Sequence, residues 1–325
     1  MSINICAIGF FPSNIQIIND NGTKGITLRV GRPRFFITDV FTAKKYGGNQ
    51  LATFVDCESF SDQEMQNIAK ELNFSETTFI ISQHPENAGY DVRIFTPNAE
   101  VEFAGHPTLG TAHVIRNKLI RAPVKEILLN LRIGAIPVTF SDTSAAMSIL
   151  WMKHPIPAYG KKLVTKDLAQ VLGVELSDID PRWPIEEIST GFPHIIVPLR
   201  NLDAVRRVKI NKDQYFALVS ELWAKLILVF SREGYEQDQA LSVRVFADFY
   251  GVAEDAATGS GNGCLAAYLV RHQVLDSPNI AVTAGQGYEI GRPSSLALRA
   301  NYNLQGEIEV NVGGSVVDVA EGIWG

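Results

Sequence analysis

The sequence predicts an α+β protein built from two similar domains, each with one central helix. The chain has 325 residues, which is too long for one ordinary hydrophobic core and suits two domains of about 150 residues each. Residues 211–222 repeat the polar and apolar order of residues 61–72 at an offset of 150. Residues 264–274 match residues 109–119 at an offset of 155. Two such similar offsets indicate a duplicated unit of helix and sheet.

The elements of the first copy follow from its apolar pattern. Ser61 and Glu64 form a capping box, and apolar residues at helical spacing predict a helix after them. Runs rich in Phe, Ile and Val, bounded by turn residues, predict strands. These predicted strands are residues 34–41, 51–55, 90–95, 124–131, 134–140 and 146–152, and residues 73–81 are a loop that enters a further strand at about Glu76.

Two glycine-rich turns precede the central helices of the two copies. They are residues 103–108 (Phe-Ala-Gly-His-Pro-Thr) and residues 255–261 (Asp-Ala-Ala-Thr-Gly-Ser-Gly). Each precedes an amphipathic run, and each therefore places free backbone N–H groups at the positive end of a helix. Two such ends that face each other would hold an anionic small molecule, so the sequence predicts an enzyme.

Composition excludes several other classes of protein. The net charge of −6 and the lack of a basic run argue against binding to nucleic acid or to an anionic membrane surface. No segment has the apolar length of about 20 residues that a membrane span needs. The three cysteines, Cys6, Cys57 and Cys264, lack a CxxC motif and suit a reducing cytoplasm, where we expect the protein. The histidines show no metal-ligand spacing, so no metal site is expected.

The two copies differ where chemistry is expected. At the offset of 150, Glu76 corresponds to Leu226, so only the first copy has a carboxylate at this strand end. Its turn contains His106, whereas the second turn begins with Asp255 and contains the hydroxyl of Ser260. Together these groups have the chemistry of a proton-transfer site.

Five motifs that contain these residues resemble those of the phenazine-biosynthesis PhzF-like isomerase family. They occur in the family's order and extend over roughly residues 34 to 320. The motifs are Gly48-Asn49, Ser75-Glu76-Thr77-Thr78, the turn at 103–108, Gly191-Phe192-Pro193-His194 and the turn that begins at Asp255.

The resemblance implies the diaminopimelate-epimerase-like fold. This α+β fold has two pseudo-symmetric domains, each a sheet wrapped around a central helix, with the active site in the cleft between them. It also implies a homodimer and no cofactor. We expect an N-terminal extension at residues 1–33, a first domain at 34–147 completed by C-terminal strands within 306–325, and a second domain at 148–305.

The resemblance also implies roles for individual residues. Glu76 would be the general acid/base, while His106 and Asp255 would contact polar groups of the substrate and tune Glu76. A carboxyl group that accepts and returns a proton needs a pKa raised toward the working pH by a dry site. The candidate substrate-binding residues are Asn49, Gly105, Gly259, Ser260 and Gly261, with the N–H groups of Gly259 and Ser260 holding a carboxylate.

Three positions depart from the family pattern. Gln50 and Ala256 stand where the family usually has proline, and Glu102 stands where it usually has an apolar or small residue. Glu102 is expected to be solvated or to add a second acid. Replacing proline at the first two positions makes the loops less rigid. These changes bear on the identity of the substrate more than on the fold.

Related racemases of this fold use one thiol at each helix entrance. By our alignment those positions are Ala104 and Ala257, so a two-thiol racemase is not expected. Cys264 is expected in the core, and Gly191 is expected in a turn with positive φ. His194 has either a structural role or a place facing the substrate.

The leading hypothesis is a cofactor-independent isomerase that shifts a proton, and hence a double bond, in a small carboxylate-bearing substrate. The resemblance suggests trans-2,3-dihydro-3-hydroxyanthranilate as the reference substrate. One alternative is an amino-acid epimerase or racemase without catalytic cysteines. Another is a dimeric small-molecule-binding protein without turnover.

Overall fold

The computed structural model describes residues 32–84, 89–141 and 148–325. The extension predicted for residues 1–33 lies almost entirely outside these ranges, as does Cys6. The helices described are α1 (Asp62–Leu72), α2 (Gly105–Val114), α3 (Thr165–Leu172), α4 (Leu202–Arg207), α5 (Lys212–Ser220) and α6 (Gly259–Arg271). A π-helical segment, Ile115–Ile120, continues α2. Short 3₁₀ turns lie at Leu176–Asp178 and Asp248–Tyr250.

The strands described carry most of the predicted apolar runs. In the first half of the chain they are β1 (Arg34–Val40), β2 (Asn49–Val55), β3 (Glu76–His84), β4 (Gly89–Phe95), β5 (Glu100–Val101), β6 (Glu126–Leu131), β7 (Gly134–Phe140) and β8 (Leu150–Lys153). In the second half they are β9 (Ala158–Lys162), β10 (Glu186–Ser189), β11 (Pro193–Pro198), β12 (Leu226–Ser231), β13 (Leu241–Ala247), β14 (Val252–Asp255), β15 (Asn279–Gln286), β16 (Ser294–Tyr302), β17 (Ile308–Gly314) and β18 (Val316–Ile323).

Strand pairing repeats between the two halves. In the first half β2 runs parallel to β3, β3 antiparallel to β4, and β4 parallel to β6. In the second half β11, β12, β13 and β15 pair with the same alternation. The short strands β5 and β14 each precede the central helix of their half. The predicted duplicated α+β fold is therefore confirmed.

The two halves share one continuous set of strands. β8 pairs with β17, which joins the first half to the second. The final strand, β18, pairs with β1. C-terminal residues thus lie beside the first half, while the exact domain boundaries at 147 and 305 stay a prediction.

The central helices α2 and α6 are buried on every side. Each residue of α6 from Gly259 to Val270 is buried, and only the last residue of the helix, Arg271, is exposed. In α2 only His113 has an intermediate exposure. The expectation that these helices are amphipathic is wrong, because a curved sheet surrounds each helix and leaves no face for solvent.

The outer helices do have one apolar face. In α1 the hydroxyl of Ser61 accepts from the N–H of Glu64, and the Glu64 carboxylate accepts from the N–H of Ser61 at 2.8 Å, which confirms the predicted capping box. Met65 and Ile68 then pack with Phe79 on the outer face of the sheet. In the second half Asn211 caps α5 at the equivalent position. The repeat at the offset of 150 is thus a repeat of structure.

Candidate active site

The entrances of the two central helices meet head to head. A Cβ atom built on Gly105 would lie 3.0 Å from the Cα of Gly259, and one built on Gly259 would lie 3.2 Å from the Cα of Gly105. The N-cap residues, Ala104 and Thr258, make no side-chain capping bond. Within the described chain, the N–H groups of Gly259 and Ser260 make no backbone hydrogen bond, and both lie at the positive end of α6.

Glu76 lies beside this junction as the first residue of β3. The parallel pairing of β3 with β2 places Glu76 opposite Leu51, close to Asn49 at the start of β2. Its Oε2 atom is buried and has no hydrogen-bond partner in the described residues, although 18% of the side chain is exposed. The Nε2 atom of His106 is 3.4 Å from Oε2, and it is also buried without a hydrogen bond. The pair is close in distance but not aligned for a hydrogen bond.

Burial removes the charge from both groups. Burial raises the pKa of Glu76 from 4.5 to about 8, and the nearby charge of Asp255 adds to this effect. Burial lowers the pKa of His106 from 6.5 to about 3, although a hydrogen bond to the backbone of Gln50 acts in the opposite direction. Near neutral pH the carboxyl group is mostly protonated and the imidazole is neutral. The two groups are therefore a protonated carboxyl group beside a neutral imidazole, and not an ion pair.

Asp255 is held rigidly beside them. Its Oδ1 accepts from Asn49 Nδ2 at 2.8 Å, and its Oδ2 accepts from the hydroxyl of Thr258 at 2.5 Å. Burial raises the pKa of Asp255, and these two hydrogen bonds oppose the rise. Asn49 Nδ2 also donates to the carbonyl of Ala257 at 3.1 Å. The amide of Asn49 thus connects the first half to the turn of the second half.

Ser260 and Gly261 occupy the first turn of α6. Ser260 is 9% exposed, and its hydroxyl has no hydrogen-bond partner within the described residues. A Cβ atom on Gly261 would lie 3.1 Å from His194 Nε2, so this turn has no room for a side chain. The structure thus brings together all eight candidate residues around the two helix entrances, while their roles stay predictions.

Two further residues form hydrogen bonds with the backbone of the loops at the site, and the sequence did not indicate either of them. Gln286 on β15 is fully buried, donates to the carbonyl of Asp255 at 2.9 Å and accepts from the N–H of Thr258 at 3.2 Å. Arg292 donates to the carbonyl of Gly47 at 2.6 Å and to that of Gly48 at 3.0 Å. Neither belongs to a motif, and each reaches the site only through the strand order of the fold.

The sequence left the roles of Glu102 and His194 undecided, and the structure does not place either among the reacting side chains. Glu102 is exposed, which fits the solvated alternative. His194 is fully buried, and its Nδ1 donates to the carbonyl of Phe192 at 2.9 Å, which favours the structural alternative. Burial also lowers the pKa of His194 to about 4. Gly191 has φ of +114°, as expected for a turn that needs glycine.

Neither of the described cysteines is placed or ionised for catalysis by a thiolate. Cys57 and Cys264 are both fully buried, and Cys264 lies within α6, in the core as expected. Burial raises the pKa of each thiol to about 12, so neither forms a thiolate near neutral pH. Ala104 precedes α2 and Ala257 lies just before the N-cap of α6, so no thiol stands at these entrances.

The described parts of the chain contain neither a cluster of metal-binding side chains nor a helix that could span a membrane. Residues 32–84, 89–141 and 148–325 contain no group of three or more His, Cys, Asp or Glu side chains arranged to hold a metal ion. Over the same ranges, no helix combines the length and the apolarity needed to cross a bilayer.

A curved sheet around one central helix, present twice, places the chain in the diaminopimelate-epimerase-like class of folds. A solved probable proline racemase from Agrobacterium radiobacter shares this fold at 10% identity, with a TM-score of 0.59 over 90% of this chain and 93% of that chain. Within this class, the model of the phenazine biosynthesis-like protein family matches residues 38–322. The chain belongs to that family, as the motifs indicated.

Similar proteins support the same placement. A trans-2,3-dihydro-3-hydroxyanthranilate isomerase of Pseudomonas aeruginosa is 33% identical over 291 residues, which cover 89% of this chain and 98% of the relative. A solved PhzF-family protein of Bacillus anthracis is 26% identical with a TM-score of 0.83, over 90% of this chain and 98% of that chain. A solved protein of Pseudomonas aeruginosa described as a predicted epimerase is 25% identical with a TM-score of 0.76, over 90% and 99% of the two chains. The protein is therefore an isomerase of this family.

Proposed function

We propose that the protein is a cofactor-independent isomerase that moves a proton, and with it a double bond, between two carbons of a small carboxylate-bearing substrate. The observation that carries this proposal is the state of Glu76. Its buried carboxyl group has a pKa of about 8 and lies 3.4 Å from a neutral imidazole nitrogen of His106. A group with a pKa near the working pH can both give and take a proton.

The two helix entrances supply the binding part of the site. The substrate carboxylate accepts from the free N–H groups of Gly259 and Ser260 and from the Ser260 hydroxyl, where the positive end of α6 stabilises its charge. Asp255 is fixed by Asn49 and Thr258, so it presents a carboxyl group in one orientation. Fixed groups of this kind orient the reacting carbons without a cost of reorganisation during the reaction.

Proton transfer then uses one carboxyl group twice. The ionised fraction of Glu76, which is the minority near neutral pH, removes a proton from one carbon of the substrate, and the electron pair of that C–H bond shifts the double bond. The protonated Glu76 returns the proton to the other carbon, which restores its starting state. General acid–base catalysis of this kind contributes about 10²–10⁴-fold to a rate. His106 lies beside Oε2 as an uncharged group, so it adds no positive charge that would lower the pKa of Glu76.

The first substrate to test is trans-2,3-dihydro-3-hydroxyanthranilate. Relatives that are 33% and 32% identical carry this substrate in their names. Gln50 and Ala256 stand in the loops of the site where the family usually has proline. A carboxylate other than this compound is therefore equally worth testing as the substrate. A panel of small cyclic carboxylates and amino acids therefore accompanies the named compound.

The direct test is proton NMR in D₂O with the wild-type protein and Glu76→Gln. We expect wild type to introduce deuterium at one carbon of a substrate and Glu76→Gln to lose this exchange by at least about 10²-fold, since the amide cannot carry the proton. Circular dichroism of the variant must match wild type. Exchange in Glu76→Gln at a rate near wild type would overturn the proposal.

The position of the label separates the proposed isomerase from the alternatives. Migration of the double bond supports the isomerase, whereas inversion at an α-carbon without migration identifies an epimerase. Saturable binding without exchange of any substrate proton identifies a binding protein. A homodimeric assembly and a cytoplasmic location are part of the proposal.

A further inference from the structure

Arg292 reaches from the second half of the molecule into the first. It lies in the turn between β15 and β16, and its side chain is 20% exposed. The Nη2 atom donates to the carbonyl of Gly47 and to Oδ1 of Asp39, each at 2.6 Å, and Nε donates to the carbonyl of Gly48 at 3.0 Å. All three acceptors belong to β1 or to the loop that follows it. One guanidinium group therefore holds both residues that precede Asn49.

The same turn also joins the two loops of the site. The carbonyl of Pro293 accepts from the N–H of Gly48 at 3.0 Å. Ser294, the next residue, donates its hydroxyl to the carbonyl of Ala256 at 3.0 Å. Gly48 directly precedes β2, and Ala256 directly follows Asp255. The turn thus connects a loop of the first half to a loop of the second half.

Asn49, the first residue of β2, extends this connection to the reacting groups. Its Nδ2 donates to Oδ1 of Asp255 at 2.8 Å, and this hydrogen bond opposes the rise that burial causes in the pKa of Asp255. Glu76 begins the strand that pairs with β2. The nearby charge of Asp255 in turn helps to raise the pKa of Glu76. A displacement of Asn49 would therefore affect both carboxyl groups.

We infer that Arg292 is a positioning residue, whose planar fork holds the loop before Asn49 so that the Asn49 amide fixes Asp255. The inference rests on the proposed function and adds a residue that acts on the reacting groups through others. Arginine suits this role because its guanidinium presents several N–H groups in fixed directions, here to one carboxylate and two carbonyls. A lysine could keep the ion pair with Asp39, but its ammonium group has no planar fork to hold the two carbonyls.

The first test is the titration of the Glu76 carboxyl carbon by ¹³C NMR in protein labelled at glutamate, because this measurement needs no substrate. Glu76→Gln assigns the signal. We expect Arg292→Lys and Asn49→Ala each to shift the midpoint to lower pH, since Asp255 then loses support for its charged form. The double variant should shift the midpoint no further than the larger single shift, because both changes break the same connection.

Arg182→Lys is the matched control. Arg182 pairs with Asp180 at 2.6 Å, the distance at which Arg292 pairs with Asp39, and both aspartate side chains are 2% exposed. Asp180 and Arg182 precede β10 and lie outside the loops of the site. Arg182→Lys therefore alters the same kind of ion pair and should keep the midpoint of wild type.

The exchange of substrate protons provides a second measurement. Arg292→Lys should lower kcat for deuterium exchange by about tenfold or more, because small displacements of reacting groups are costly. KM should stay close to wild type, since the N–H groups of Gly259 and Ser260 still bind the substrate carboxylate. A loss of stability in urea with midpoint and kcat unchanged would show that Arg292 only supports the fold, and would overturn the inference.

Asn49→Ala keeps the inference open to disproof even if Arg292→Lys does not fold. This variant leaves the ion pair between Arg292 and Asp39 in place, so an unchanged midpoint in Asn49→Ala would overturn the inference. Additive shifts in the double variant would overturn it too. A failure of the proposed function has a different signature, because wild type would then exchange no substrate proton while the midpoints still shift as expected.

Discussion

The identities of Glu76 and His106 could be predicted from the sequence, whereas their pKa values depend on the groups that surround them in the fold. The ordered motifs were enough to predict both residues and the need for a raised pKa. The sequence could not predict that burial acts oppositely on the two groups, raising the pKa of Glu76 to about 8 and lowering that of His106 to about 3. That result depends on atoms from β2, β3 and both helices, which only the folded chain brings together.

The raised pKa of Glu76 has a consequence for stability. The folded protein holds the proton of Glu76 up to a pKa of about 8, whereas the unfolded chain releases it near 4.5. The folded state therefore binds more protons in this interval, and Glu76 contributes stability that is present below about pH 4.5 and is lost as the pH rises to about 8.

Glu76→Gln removes this dependence. We expect the free energy of unfolding of the variant, relative to wild type, to increase by a few kcal/mol between pH 4.5 and pH 8. Urea denaturation at several pH values measures it. Ser260→Ala changes the same site without a titrating group, so its difference from wild type should not vary with pH. A constant difference for Glu76→Gln would show that its carboxyl group titrates normally.

At the scale of elements, the two glycine turns determine the site. Their role as helix entrances could be predicted from Gly105, Gly259 and the apolar runs behind them. The sequence also predicted that the two entrances face each other, and in the structure they are in direct contact through Gly105 and Gly259. The apolar pattern misjudged the helices as amphipathic, since a helix inside a curved sheet is apolar on all sides.

The close approach of the entrances makes Gly105 sensitive to a single methyl group. In Gly105→Ala the new Cβ would lie 3.0 Å from the backbone of Gly259, which cannot rotate away, so the two entrances must separate. Because small displacements of reacting groups are costly, we expect the rate of deuterium exchange into the substrate to fall about tenfold or more.

Gly306→Ala is the control for Gly105→Ala. It introduces a methyl group into open space, at a backbone φ of +80°. This variant should lose about 1 kcal/mol of stability through backbone strain and keep the wild-type exchange rate. If Gly105→Ala were as active as Gly306→Ala, the contact between entrances would have no part in the reaction.

At the scale of the whole molecule, duplication was the most informative feature of the sequence. The offset of 150 between residues 61–72 and 211–222 predicted two equivalent helices, and α1 and α5 confirm it. The same comparison isolated Glu76, because its counterpart Leu226 begins the equivalent strand β12. Gln286 and Arg292 could not be found in this way. Gln286 ends β15 and Arg292 lies in the turn between β15 and β16, and the folded sheet brings both to the site. The residues next to them in the sequence form no motif that would indicate this position.

The central claim is that folding keeps the carboxyl group of Glu76 protonated near neutral pH, ready to exchange a proton. The most direct measurement is the ¹³C NMR titration of its side-chain carboxyl carbon in protein labelled at glutamate, with Glu76→Gln to assign the signal. We expect a midpoint of about 8. A midpoint near 4.5, the ordinary value, would contradict the claim and remove the basis for assigning proton transfer to Glu76.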